Sequence, residues 1–143
     1  MIILDTNVIS ELMRENPDVR VKQWISQQKA IHLGLTTITI AEIQRGLMRL
    51  PTGQRRTNLE HNFNRFLTAA FAGRIFSFDK DAANIYGQIC AEREHAGLHV
   101  DAVDLMIASI AKSENAKIAT RNIKDFINCT VELVNPWDST EQH

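Results

Sequence analysis

Residues 1–5 read MIILD, and the architecture of the chain follows from them. Four apolar residues in succession, with no polar alternation, predict a strand buried on both faces, as in the middle of a parallel sheet. The run ends on a carboxylate, Asp5, at the C-terminal end of that strand. Working outward, a helix is predicted over 7–14, and Pro17 separates it from a second over 18–29 that carries Trp24 and Ile25. The stretch IHLGLT, 31–36, predicts another short strand, and a helix runs from Thr39 to Leu50, ahead of Pro51 and Gly53. Over 57–72, Leu59, Phe63, Phe66, Leu67, Ala70 and Phe71 recur at three- and four-residue spacing and make a single apolar stripe.

Gly73 ends that helix, and Ile75 to Phe78 predict a third strand. From Asp79 a helix turns Ala82, Tyr86, Ile89 and Cys90 inward and stops near Gly97. The helix predicted over 101–114 is apolar around much of its circumference, so it is expected between two layers. Lys117–Thr120 predicts a strand, 122–127 a helical turn and Val131–Val134 a last strand. Short buried strands separated by helices specify an α/β fold with a short, mostly parallel central sheet flanked by helices.

The chain has 143 residues and a mass of 16.2 kDa, one domain by size, expected to span 1–137 with a frayed tail at 138–143. With 44% hydrophobic and 23% charged residues, disorder and low complexity are excluded. No apolar run is long enough to span a membrane. Asp5 breaks the first apolar run too early for a signal peptide, so the chain is expected to stay in the cytosol. A net charge of −1 argues against coating nucleic acid by bulk electrostatics, though a nuclease with a small basic rim is compatible with it. Cys90 and Cys129 lack metal-like spacing and are expected to be buried thiols, not a disulfide.

The carboxylates fall at informative places. Asp5 ends the first strand, Glu42 lies early in the helix after the second, Asp104 opens a long helix, and Asn122 and Asp125 follow the strand that ends at Thr120. In a parallel sheet these are all C-terminal-edge positions, where ligands bind. Each taken singly has an ordinary explanation. Thr39-x-x-Glu42 reads as a capping box, and Asp101-x-x-Asp104 and Asn122-x-x-Asp125 have cap-plus-acid spacing. Asp5 resists such an explanation best, because it ends an apolar strand and is poorly placed for solvation. Taken together, two such charges about 5 Å apart repel by roughly 3 kcal/mol at an effective dielectric near 20. A divalent cation, Mg²⁺ or Mn²⁺, relieves that repulsion and points to phosphate-ester chemistry.

The segments MIILDTNVISEL, TTITIAEIQRGL, DAVDLMIASIA, IATRNIKDF and NPW, in this order from Met1 to Trp137, resemble PIN-domain proteins of the VapC and FitB toxin type. The resemblance implies a PIN-like fold with an acidic pocket at the C-terminal edge of the sheet, and a Mg²⁺-dependent endoribonuclease leaving 5′-phosphate and 3′-hydroxyl ends. It places the acid set on Asp5, Glu42 and Asp104, with Asp5 and Asp104 as metal ligands and a further contribution from Asn122 and Asp125. Asn122 stands where many members carry Asp, which leaves open whether Asp125 binds metal directly or through water. Thr6 and Thr120 either hydrogen-bond the carboxylates or their waters, or cap helix and strand ends. The resemblance further implies a cognate antitoxin, structured RNA such as tRNA as substrate, a homodimer, and DNA contact only through the antitoxin.

Between Glu42 and Glu60 stand Arg45, Arg49, Arg55 and Arg56 with no acid among them, a stretch that steers RNA or binds a partner, or is a solvated helix end and turn. Arg121 is the arginine nearest the acids in sequence, a phosphate contact or a salt-bridge partner. His95 and His99 have metal-like spacing, but Gly97 between them marks a surface turn. Trp24, Trp137 and the Phe63/Phe66 stripe read as core or interface, part of the stripe facing an antitoxin helix. A catalytically weak PIN module that serves as a binding subunit is the alternative. An aspartate-nucleophile phosphatase is disfavoured, because Asn7 stands where such enzymes need a second Asp.

Overall fold

Ile3 and Leu4 are both fully buried and belong to cores on opposite faces of the first strand, β1 (Ile2–Leu4). This is the two-sided burial that the opening apolar run predicts. In the computed structural model, which describes residues 1–138, β1 is the centre of a five-stranded sheet. Its other strands are β2 (Leu33–Thr36), β3 (Ile75–Phe76), β4 (Lys117–Ala119) and β5 (Leu133–Val134), in the order β3-β2-β1-β4-β5. Every pairing is parallel, with Ile3 opposite Gly34 on one side and Ile118 on the other.

Among the described residues six α-helices flank the sheet: α1 (Thr6–Leu12), α2 (Val19–Ser26), α3 (Thr37–Met48), α4 (Gln54–Phe71), α5 (Lys80–His95) and α6 (Ala102–Ser113). One face packs Leu4, Ile9, Trp24, Ile43, Phe63 and Phe71 with Trp137. The other packs Ile3, Ile89, Leu105, Ile107, Ile118 and Phe126. Both tryptophans and Phe63 are therefore core, as read. Helix α4 leaves Leu59 and Phe66 half-buried, and with Leu12, Met13 and Phe63 they line an apolar pocket of about 230 Å³.

β1 and β4 each lose one residue against the sequence reading, three other strands lose two, and the register explains those three. The run 31–36 opens with a 3-10 turn at Ala30–His32, because β1 begins at Ile2 and Ile2 pairs with Leu33; Ile31 has no partner strand and is 65% exposed. β3 stops at Phe76, opposite the last residue of β2, rather than reaching Phe78. β5 starts at Leu133, opposite Ile118, rather than at Val131. The helices shift by a few residues at their ends. Gly73 and Gly97 follow α4 and α5 with φ of +80° and +72°, a conformation that only glycine adopts without strain. Cys90 and Cys129 are free thiols, Cys129 buried and Cys90 half-buried. No helix among the described residues is long and apolar enough to cross a membrane. The expected tail beyond Asp138 lies outside the described residues.

Strand order reverses between β1 and β4, which connect to neighbours on opposite sides. The crevice beyond the C-terminal ends of two such strands is where open α/β sheets bind ligands.

Candidate active site

Asp5 sits in that crevice and is tied on all sides. Its N–H donates to the Ala119 carbonyl (2.9 Å), extending the β1–β4 ladder by one bond. One carboxylate oxygen accepts the Thr6 N–H (2.8 Å), making Asp5 the cap of α1. This capping role is one that the sequence pattern, which sets Asp5 apart from the capping acids, does not predict. The other oxygen accepts the Thr120 hydroxyl (2.8 Å) and the Asn7 side-chain amide (3.2 Å). Asp5 is 4% exposed. Burial pushes its carboxyl above the ordinary range against the pull of the Thr120 and Thr6 bonds, with Glu42 and Asp125 adding to the rise.

A cleft of about 540 Å³ opens above Asp5 and is shared by Glu42 and Asp104. The Asp104 carboxyl is pushed up to about 7, first by burial and then by the neighbouring charges of Asp101, Asp5, Asp125 and Glu42. Asp101 is the cap of α6, accepting the Asp104 N–H at 3.0 Å, as its spacing predicts. The other two capping readings are overturned. Helix α3 is capped by Thr36, whose hydroxyl accepts the Thr39 N–H (3.1 Å), so the helix starts earlier and Glu42 falls in its second turn. Glu42 is held instead by the Thr6 hydroxyl, which donates to it and lies 3.1 Å from the Thr39 hydroxyl. Asn122 makes no side-chain cap bond, and only a short 3-10 turn, Ile123–Asp125, follows it.

Asn122 lines the cleft, and its N–H donates to the Thr120 hydroxyl (3.0 Å). Asp125 is half-buried and near enough to perturb Asp5 and Asp104, but it does not line the cleft. Thr6 and Thr120 thus each hold a site carboxylate. Arg121 lines the cleft; Arg45 and Arg49 are exposed on α3 and its C-terminal end, outside that lining. Arg55 lines an adjoining groove of about 680 Å³ that also reaches Glu42, and Arg56 pairs with Glu60 at 3.2 Å. His95 and His99 are exposed, as the turn reading expects.

Sequence reasoning did not assign site positions to Asn7, Glu11, Arg14 or Trp137, all of which line the cleft. Asn7 links the two switch-point strands, donating to Asp5 and to Thr120 (3.3 Å) and accepting the Arg121 N–H (3.3 Å). Glu11 is buried, and accepts both Arg14 Nη1 (3.2 Å) and the Asp18 N–H (2.9 Å). An Asn two residues beyond a strand-ending Asp was the available signal for the first of these.

Among the described residues no three acid, histidine or cysteine side chains already converge as a metal cage. The chemistry of the donor set nevertheless fits a hard divalent cation. Four carboxylates, Asp5, Glu11, Glu42 and Asp104, line one cleft, and repulsion from Asp5 and Glu42 helps lift Asp104 to about 7.

Residues 2–128 match the PIN domain family. The chain is a PIN-domain protein. This PIN domain is 38% identical over 138 residues to the VapC ribonuclease Y4jK of Sinorhizobium fredii, covering 96% of this chain and 99% of that one. It is 37% identical over 137 residues to Toxin FitB of Neisseria gonorrhoeae, covering 96% and 99%. The solved FitAcB structure from that organism matches with a TM-score of 0.91 at 37% identity over 96% of this chain and 99% of that one. VapBC2 of Rickettsia felis, solved bound to a DNA fragment from its promoter, matches with a TM-score of 0.79 at 29% identity, covering 96% and 100%. The PIN-like fold is therefore borne out.

Proposed function

We propose that this protein is a metal-dependent endoribonuclease, the toxin of a toxin–antitoxin pair, acting in the cytoplasm. The observation that carries the reading is the convergence of Asp5, Glu42 and Asp104, from the end of β1, from α3 and from α6, on one cleft, where burial and repulsion raise the Asp104 carboxyl. Carboxylates crowded until one favours its proton make a site for a cation that relieves the crowding. Asp5 and Asp104 would hold Mg²⁺ or Mn²⁺, with Glu42 completing the set and Asn122 and Asp125 orienting it. A cation bound there supplies water of lowered pKa and neutralises charge on the phosphodiester.

The chain's own residues do the rest. Thr120, Asn7 and the Thr6 N–H fix the Asp5 carboxylate, and the Thr6 hydroxyl fixes Glu42. Arg121 meets the RNA at the cleft, and Arg45 and Arg49 on the exposed end of α3 steer it in. The ribonuclease and toxin names of its relatives support this reading. The partner is a cognate antitoxin, whose apolar side chains fill the pocket between α1 and α4. With a net charge of −1, the chain leaves DNA contact to the antitoxin. The toxin itself is a homodimer, which sedimentation equilibrium of the isolated protein tests.

The decisive experiment is cleavage of total cellular RNA, and of tRNA, by antitoxin-free protein with Mg²⁺, Mn²⁺ or EDTA, beside Asp5→Asn and Asp104→Asn. Discrete fragments with 5′-phosphate ends, lost with EDTA and in both variants, are expected. Asn122 in place of an acid, and Asp125 outside the cleft lining, favour the second reading of a weak module used for binding. Folded protein that cuts no RNA with any metal selects it.

A further inference from the structure

Arg121 is a cation in an acidic cleft that is not neutralised by it. Among the described ion pairs none involves Arg121, although Asp5, Glu42 and Asp104 line the same cleft. The guanidinium instead lies over the ring of Trp137, 5.2 Å from its centroid. A guanidinium stacked on an indole keeps its edge donors free, and those donors match the oxygens of a phosphate. Paired with a carboxylate, the same donors would already be spent.

The platform is rigid. Trp137 is 6% exposed and packed in the core beneath the cleft, and its backbone N–H donates to Asn135 Oδ1 at 2.9 Å. At its other end Arg121 is anchored through its backbone N–H to Asn7, the residue that also holds Asp5. The stacked cation and the central carboxylate are thus set by one short network.

Resting on the ribonuclease reading, we infer that Trp137 is a positioning residue that keeps Arg121 off the site carboxylates and aimed at a phosphate of the RNA chain. Arg121 touches the substrate. Trp137 acts only through it.

The test is a double-variant cycle on RNA binding, measured by fluorescence anisotropy of a dye-labelled single-stranded oligoribonucleotide of mixed sequence. Ca²⁺ replaces Mg²⁺, and salt is varied. Arg121→Gln is expected to weaken binding about tenfold and to lower the slope of log affinity against log salt by about 0.7, the share of one phosphate on a single strand. Trp137→Leu removes no charge, yet is expected to reproduce that loss of slope, and to add nothing in the Arg121→Gln background. Trp137→Phe keeps a ring face and is expected to lose only about two- to threefold. Should the leucine variant not fold, the cycle runs on the phenylalanine variant, whose loss must vanish when Arg121 is already Gln. Arg65→Gln, an exposed arginine outside the cleft, serves as the control for loss of charge alone.

An unchanged slope in Arg121→Gln, or losses that add between the two positions, overturns the inference. Cleavage of the same RNA with Mg²⁺ separates the readings. If the parent protein cuts while the cycle fails, only the positioning role falls. If the cycle holds and no metal supports cleavage, the nuclease reading falls and the phosphate grip stands. No RNA binding by the parent sinks both.

Discussion

With its carboxyl lifted to about 7 from an ordinary 3.8, Asp104 holds a proton more tightly in the folded metal-free protein than in the unfolded chain. Between those two values the native state therefore binds more protons, and stability falls as pH rises through the window. Asp5, raised for the same reason, acts in the same direction. We expect the melting temperature in EDTA to drop from pH 4 towards pH 7, and Asp104→Asn to flatten that drop while abolishing cleavage. A melting profile in Asp104→Asn that still falls as steeply would refute the assignment. The chain itself made the acids legible, because Asp5, Glu42 and Asp104 each follow a readable strand or open a readable helix. What holds them was not legible. Thr36, rather than Thr39, caps α3, a choice decided by where β2 runs out of partners; and the Thr120–Asp5 bond joins residues 115 apart, which no local pattern announces.

Among the elements, α5 carries an unusual fastener. Arg93 is 4% exposed and donates to the carbonyls of His99 (3.2 Å from Nε), Lys124 (3.4 Å) and Ile127 (2.9 Å). One guanidinium thus binds the loop leading to α6, which carries Asp104, and the turn that carries Asp125. Arg93→Met should lower stability by roughly 2–4 kcal/mol, the cost of carbonyls left short of their donor, and urea unfolding measures it. A midpoint within error of the parent would show the fastener to be idle. β2 offers a second case. A methyl at Gly34 would meet the Phe76 ring at 2.8 Å and Ile3 at 3.0 Å, between the first and third strands in the layer. Gly34→Ala is expected to cost about 1–3 kcal/mol through overpacking, read in the same unfolding experiment. The sequence suggested the strand that holds Gly34 but not its crowding, because the tightest contact comes from Phe76, 42 residues further along the chain.

For the molecule as a whole, a cation that binds only the folded cleft stabilises the fold by mass action, about 2.7 kcal/mol at a hundred times its dissociation constant. Titrating Mg²⁺ or Mn²⁺ should therefore raise the melting temperature by roughly 5–10 °C for a chain of this size, and Asp5→Asn should lose the shift. A rise of equal size in Asp5→Asn would place the cation elsewhere. The architecture that gathers the cleft also sets when it can exist. β1 is made first and sits in the middle, but its second neighbour, β4, begins only at Lys117. At a synthesis rate of about 5–20 residues per second, the ribosome needs roughly 6–23 s after Asp5 to supply Thr120. A nascent chain stalled or truncated after Asp104 but before Lys117 contains Asp5, Glu42 and Asp104, yet lacks the strand and hydroxyl that lock the first of them. On the proposed reading, the topology keeps the site incomplete until β4 has been made, an interval in which an inhibitor made alongside the chain can fold first.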